Sequence, residues 1–122
     1  MATGTCSISE ETLYSVKSLV FQWTANSTGT VTSESTAAHL SGECLMLATV
    51  PGTATLQPSD QYDVAVLDSN SLDILTGSGA NRSNVNTEYV RKANLGAVND
   101  SLTLSITNAG DSKTGAVYLF IR

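Results

Sequence analysis

Apolar residues in this chain recur with a period of two. Leu19, Phe21 and Trp23 alternate with Val20, Gln22 and Thr24, and Tyr62, Val64 and Val66 alternate with Asp63, Ala65 and Leu67. Leu102, Leu104 and Ile106 repeat the pattern, as do Val117, Leu119 and Ile121. Successive side chains of a strand point to opposite faces, so each run lines one side of a pleated ribbon with its large residues. Segments rich in Gly, Pro, Asn, Asp and Ser separate the runs at residues 25–29, 51–52, 57–60, 68–71, 76–79, 94–96 and 108–114. The expected strands are therefore 13–24, 30–37, 43–50, 62–68, 72–75, 87–91, 101–107 and 115–121. About eight short strands in regular succession predict an all-β, single-domain antiparallel β-sandwich or jelly-roll-like barrel. The polar segment 30–37 suits an edge, and 43–50, apolar on both parities, suits deep burial. Segments 62–68 and 72–75 read as one hairpin. Segments 101–107 and 115–121, joined by a Gly-containing loop, read as the clearest one.

The remaining composition agrees with strands. Among 122 residues there are 16 Ser and 16 Thr against only 17 charged side chains, so hydroxyls and amides dress the surface in place of the long charged residues of exposed helix faces. The length suits one domain with one core, 1–122. A net charge of −5 and six scattered basic residues argue against nucleic acid and against an anionic membrane, both of which call for clustered Lys and Arg. No apolar run approaches the roughly 20 residues of a membrane-spanning helix, and the start MATGTCSISEE has no secretory pattern. The sequons at Asn26, Asn81 and Asn99 are therefore read as products of composition. Cys6 and Cys44 are expected to be buried small hydrophobes rather than a disulfide.

Chemistry-bearing constellations are few. His39 is the only histidine and stands in no nucleophile-elbow context, so a surface or packing role is expected of it. Asp60, Asp63, Asp68 and Asp73 fall close together, but an Asp before a strand or at the start of a turn ordinarily bonds its own backbone. Asp68, Asn70 and Asp73 offer oxygen ligands, yet an EF-hand loop needs Gly where Asp73 stands and Glu where Gly79 stands. Gly77-Ser78-Gly79 lacks the Lys-Ser/Thr pair of a phosphate loop. No catalytic, metal or cofactor residue is assigned. Trp23, in step with Leu19 and Phe21, is expected in the core, whereas Tyr14 and Tyr89 stand in more polar surroundings that suit an interface.

Two stretches carry a resemblance. Gln57-Pro58-Ser59-Asp60-Gln61-Tyr62-Asp63-Val64 through Asp73-Ile74-Leu75-Thr76-Gly77-Ser78-Gly79-Ala80-Asn81 forms the first, and Gly96-Ala97-Val98-Asn99 through Gly115-Ala116-Val117-Tyr118-Leu119-Phe120-Ile121-Arg122 the second; Phe21-Gln22-Trp23-Thr24 and Gly42-Glu43 add to them. Over its second half the chain resembles small virion structural proteins of tailed bacteriophages, through strand-and-turn patterns rather than ligand residues. The resemblance implies capsid decoration (cement), with the major capsid protein and further copies of the chain, as dimer or trimer, for partners. It implies a place on the capsid exterior after synthesis in the bacterial host cytoplasm, and no enzymatic activity. A neck, tail or fibre component, or a receptor- or glycan-binding module, is the alternative. Residues 1–12, with weak core periodicity, are expected to form an extended arm that adds to a neighbour's sheet edge. The residues expected at an interface are Thr3, Thr5, Ile8, Tyr14, Tyr89 and Arg91.

Overall fold

A computed structural model describes residues 4–37 and 40–122. Nine strands account for most of it: β1 (Thr5–Leu13), β2 (Val16–Thr24), β3 (Val31–Thr32), β4 (Leu40–Pro51), β5 (Asp63–Leu67), β6 (Glu88–Arg91), β7 (Ala97–Asp100), β8 (Thr103–Thr107) and β9 (Thr114–Ile121). Two single 3-10 turns, Ala54–Leu56 and Lys92–Asn94, are the only helical segments among the described residues. The chain is all-β, as its alternation predicts.

The strands form two sheets. The larger runs β1-β2-β9-β4-β6, with β7 also pairing β4, and the smaller runs β3-β8-β5; every pairing is antiparallel. One cluster lies between them. Leu19, Phe21, Trp23, Leu47, Val117, Leu119 and Ile121 come from the large sheet, and Val31, Val64, Val66, Leu102, Leu104 and Ile106 from the small sheet and its flanks. Trp23 belongs to this core, its ring 5.6 Å from that of Tyr62 and tilted by 52°. Gly115 lies opposite Trp23, and a Cβ there would fall 2.4 Å from the indole, so the missing side chain makes room for the largest core residue.

Several boundaries differ from the sequence reading, each for a local reason. Segment 13–24 is not one strand. Tyr14, with φ of 57°, turns the chain in a two-residue loop that joins β1 to β2, and an aromatic in a left-handed conformation carries none of the usual Gly or Asn turn signal. The expected arm is consequently β1, paired with β2 residue by residue from Thr5↔Thr24 to Leu13↔Val16. Segment 72–75 makes only the bridge Leu67↔Asp73, because the Asp73 carboxylate gathers the N–H groups of Val66, Leu75 and Gly77 into turns. Segment 30–37 contributes just Val31–Thr32.

The hairpin expected from 101–107 and 115–121 does not form: β8 belongs to the small sheet and β9 to the centre of the large one. Both ladder sides of β9 are occupied, by β2 and by β4. The connecting loop is held elsewhere, since Ala109 N–H donates to Gly29 O, Ser59 N–H to Ala109 O and Ser112 N–H to Asn26 O. The two apolar stripes therefore meet face to face across the core.

Candidate functional site

The pairing register fixes what the large sheet presents on its outer side. β2, β9, β4 and β6 turn Leu19, Leu119, Leu47 and Val90 inward in one row, so the adjacent row points out: Val20, Tyr118, Ala48 and Tyr89. The next row outward is Ser18, Phe120, Met46 and Arg91, and the one on the other side is Gln22, Ala116 and Val50. A bulge at Leu45 between Cys44 and Met46 keeps Met46 on this face and Cys44 in the core. The centre of the outer face is thus apolar. Val20, Met46, Val50, Tyr118 and Phe120 are half-buried by one another with no second layer above them among the described residues, and Tyr89 is 65 % exposed. Charge on these rows stands only at the two rims, Arg91 on β6 and Glu11 on β1, the latter opposite Ser18.

At one end the face runs into the β1–β2 turn, where Tyr14 is 95 % and Leu13 65 % exposed and where Phe120 lines a depression with Leu13, Tyr14 and Val16. At the other end a concavity is lined by Ser7, Gln22, Thr24, Val50, Thr114 and Ala116. Cys6 is its one titratable lining group among the described residues. Hydroxyls and an amide of this kind can hold polar groups by hydrogen bonds.

The residues expected at an interface are distributed as follows. Thr5 is exposed on β1; Ile8 turns its side chain inward, half-buried against the core; Tyr14 crowns the turn; Tyr89 and Arg91 lie on the outer face. The structure brings Tyr89 and Arg91 together with a patch the sequence reading missed, made by Val20, Met46, Ala48, Val50, Tyr118 and Phe120. A signal for it was present: these residues fill the second parity of strands whose first parity already supplies the core, an excess a one-faced strand does not need. On β4 that excess predicts burial on both sides, but Met46 and Val50 remain half-buried. Thr3 and His39 lie outside the described residues.

Asp68 and Asp73 bond their own turns, as expected, whereas Asp60 and Asp63 accept from loops distant in sequence. Asp68 Oδ1 accepts from Asn70 and Leu72 N–H, and Asp63 accepts from Asn81 N–H and the Asn108 side-chain amide, at 2.6–3.0 Å. Among the described residues no three His, Cys, Asp or Glu side chains are grouped to hold a metal ion. Cys6 and Cys44 are free thiols, both pushed up to about 11 by burial. Burial likewise raises the Tyr62 phenol to about 12. At the surface, the Lys92 ammonium 2.9 Å from Glu43 lowers the Glu43 carboxyl.

No family model, no curated protein and no solved structure matches this chain.

Proposed function

We propose that this chain is a structural protein of a tailed-phage virion, a decoration protein that docks the outer face of its large sheet on the exterior of the head and steadies contacts between major capsid subunits. The observation that carries the reading is the apolar outer face centred on Tyr118 and Phe120, which packs against nothing else in the chain among the described residues and bears charge only at its rims. Exposed contiguous apolar patches on small proteins mark interaction sites, and aromatics and Met are enriched at the centres of interfaces. The resemblance of the second half to small virion proteins supports the choice of partner. An acidic, β-rich module with an open apolar sheet face suits a task done by surface contact.

Gold-labelled protein added to heads of the phage that encodes it tests the reading by electron microscopy. Label scattered over the head is the expected result. Label at one vertex moves the protein to the neck or tail, and label on host cells but not on heads moves it to receptor or glycan binding.

A further inference from the structure

The large sheet ends at β6, and beside that strand lies a cleft lined by Ser78, Arg82, Glu88, Tyr89, Arg91 and Asn94. Hydrogen bonds fix its far wall: the Thr76 and Ser78 hydroxyls both donate to Asn94 O at 2.8 Å, and Arg82 N–H donates to Tyr62 O at 2.7 Å. The Arg82 side chain is only 15 % exposed. Its Nε–H donates to Ala80 O, but among the described residues its two terminal amino groups make no hydrogen bond. Glu88 Oε1 stands 3.8 Å from one of them, beyond hydrogen-bond reach, and already accepts from Ser83 N–H at 2.7 Å. A guanidinium largely withdrawn from water with unused donors calls for an acceptor, and its planar fork fits a carboxylate through two parallel hydrogen bonds.

We infer that this cleft takes an aspartate or glutamate side chain of the protein on which the outer face docks. The identity of that protein rests on the proposed function; the chemistry rests on the cleft. Of six basic residues in a chain of net charge −5, Arg82 and Arg91 line it against the single carboxylate of Glu88, and Arg91 forms no ion pair among the described residues. Lys92, next along the chain, is neutralised by Glu43 at 2.9 Å. Two guanidiniums suit one carboxylate, whereas a nucleic-acid backbone calls for many basic contacts.

Tyr89 belongs to both regions, lining this cleft and the outer-face depression formed by Met46, Val50, Tyr118 and Phe120. From β9 to β6 is two strand spacings, about 10 Å, which an extended segment covers in about three residues. A docked segment that rests an apolar side chain on Tyr118 and Phe120 therefore brings a carboxylate some three residues away to the guanidiniums. Glu88 competes with that carboxylate for Arg82, so removing the Glu88 charge should strengthen binding. An Arg82–Glu88 pair that served stability alone would leave binding unchanged or weaker.

Two measurements on the purified full chain test this. In the first, the Arg82 Nε–H signal is followed by NMR while the peptide acetyl-Leu-Ala-Ala-Glu-amide is added, with acetyl-Leu-Ala-Ala-Gln-amide as control. A saturable shift with the Glu peptide alone is expected. Equal shifts with both, no shift, or a stronger response to inorganic phosphate overturns the inference. In the second, binding to phage heads is compared: Arg82→Gln should weaken it by about tenfold or more, and Glu88→Gln should tighten it by roughly two- to five-fold. Arg91→Gln, at an exposed position, should weaken it by roughly two- to five-fold and decides the matter if the Arg82 variant fails to fold. Heads bound equally by wild type, Glu88→Gln and Arg91→Gln would reject the carboxylate cleft alone; a Glu-peptide shift without head binding would reject the decoration reading alone.

Discussion

The two faces of the large sheet are built from the same strands and differ in what covers them. On the inner face Leu19, Phe21, Leu47, Val117, Leu119 and Ile121 are essentially without solvent exposure, because the small sheet lies over them. On the outer face Val20, Met46, Val50, Tyr118 and Phe120, one residue further along each strand, are half-buried and have only one another. Folding accounts for the first set, since burying a large apolar side chain contributes about 1.5–3 kcal/mol. It does not account for the second, which the fold carries and leaves open. Such a surplus is what a docking surface requires, and it divides the molecule into residues that set stability and residues that set association.

That division can be broken by substitution, and the inner face should respond most. Phe21→Ala empties a fully buried aromatic site and should destabilise the chain by about 3–5 kcal/mol, read from the shift of a chemical-denaturation midpoint. A loss below about 1 kcal/mol would mean that the core is less tightly packed than its burial indicates.

Alkaline pH sharpens the comparison with a smaller effect, because Cys6, Cys44 and Tyr62 are ionisable groups buried in or against the core. Burial raises all three, to about 11 for the thiols and about 12 for the phenol. The unfolded chain therefore releases these protons first as pH rises, and it binds fewer protons than the native state between about pH 9 and 12, so stability falls with rising pH in that window. The melting temperature should be flat from pH 7 to 8.5 and drop above pH 9. Cys44→Ala should make the drop shallower, whereas removal of outer-face residues should leave it unchanged. For the same reason both thiols should react slowly with a disulfide reagent at pH 8 in the native protein and rapidly once it is denatured.

How far this was legible in the sequence follows from what alternation encodes. Period-two runs such as 19–23, 102–106 and 117–121 fix which residues turn inward, and the inward sets are those the pattern marks. Partnership is another matter. Two neighbouring runs with one apolar stripe each can pair side by side or stack, and β8 and β9 stack because their loop is tied to Gly29, Asn26 and Ser59, contacts distant in sequence. β1 escaped notice because its inward positions include Cys6 and Glu10 and its turn rests on Tyr14 rather than Gly. The outer face escaped because a second apolar parity reads equally as burial on both sides or as a surface awaiting a partner; only the absence of a layer above Met46 and Phe120 among the described residues separates the two. Tyr89 and Arg91 were legible singly, as exposed residues on a short strand, but the patch they border was not.

The most direct measurement removes the outer aromatics and reads stability and docking on the same preparation. Tyr118→Ser with Phe120→Ser should lower unfolding stability by about 1.5–3 kcal/mol in all, since each side chain is half-buried, less than Phe21→Ala alone. In co-sedimentation with the same phage heads, the wild type should pellet with the particles and the double variant should remain in the supernatant. A folded double variant that pellets as the wild type does would contradict the assignment of docking to this face.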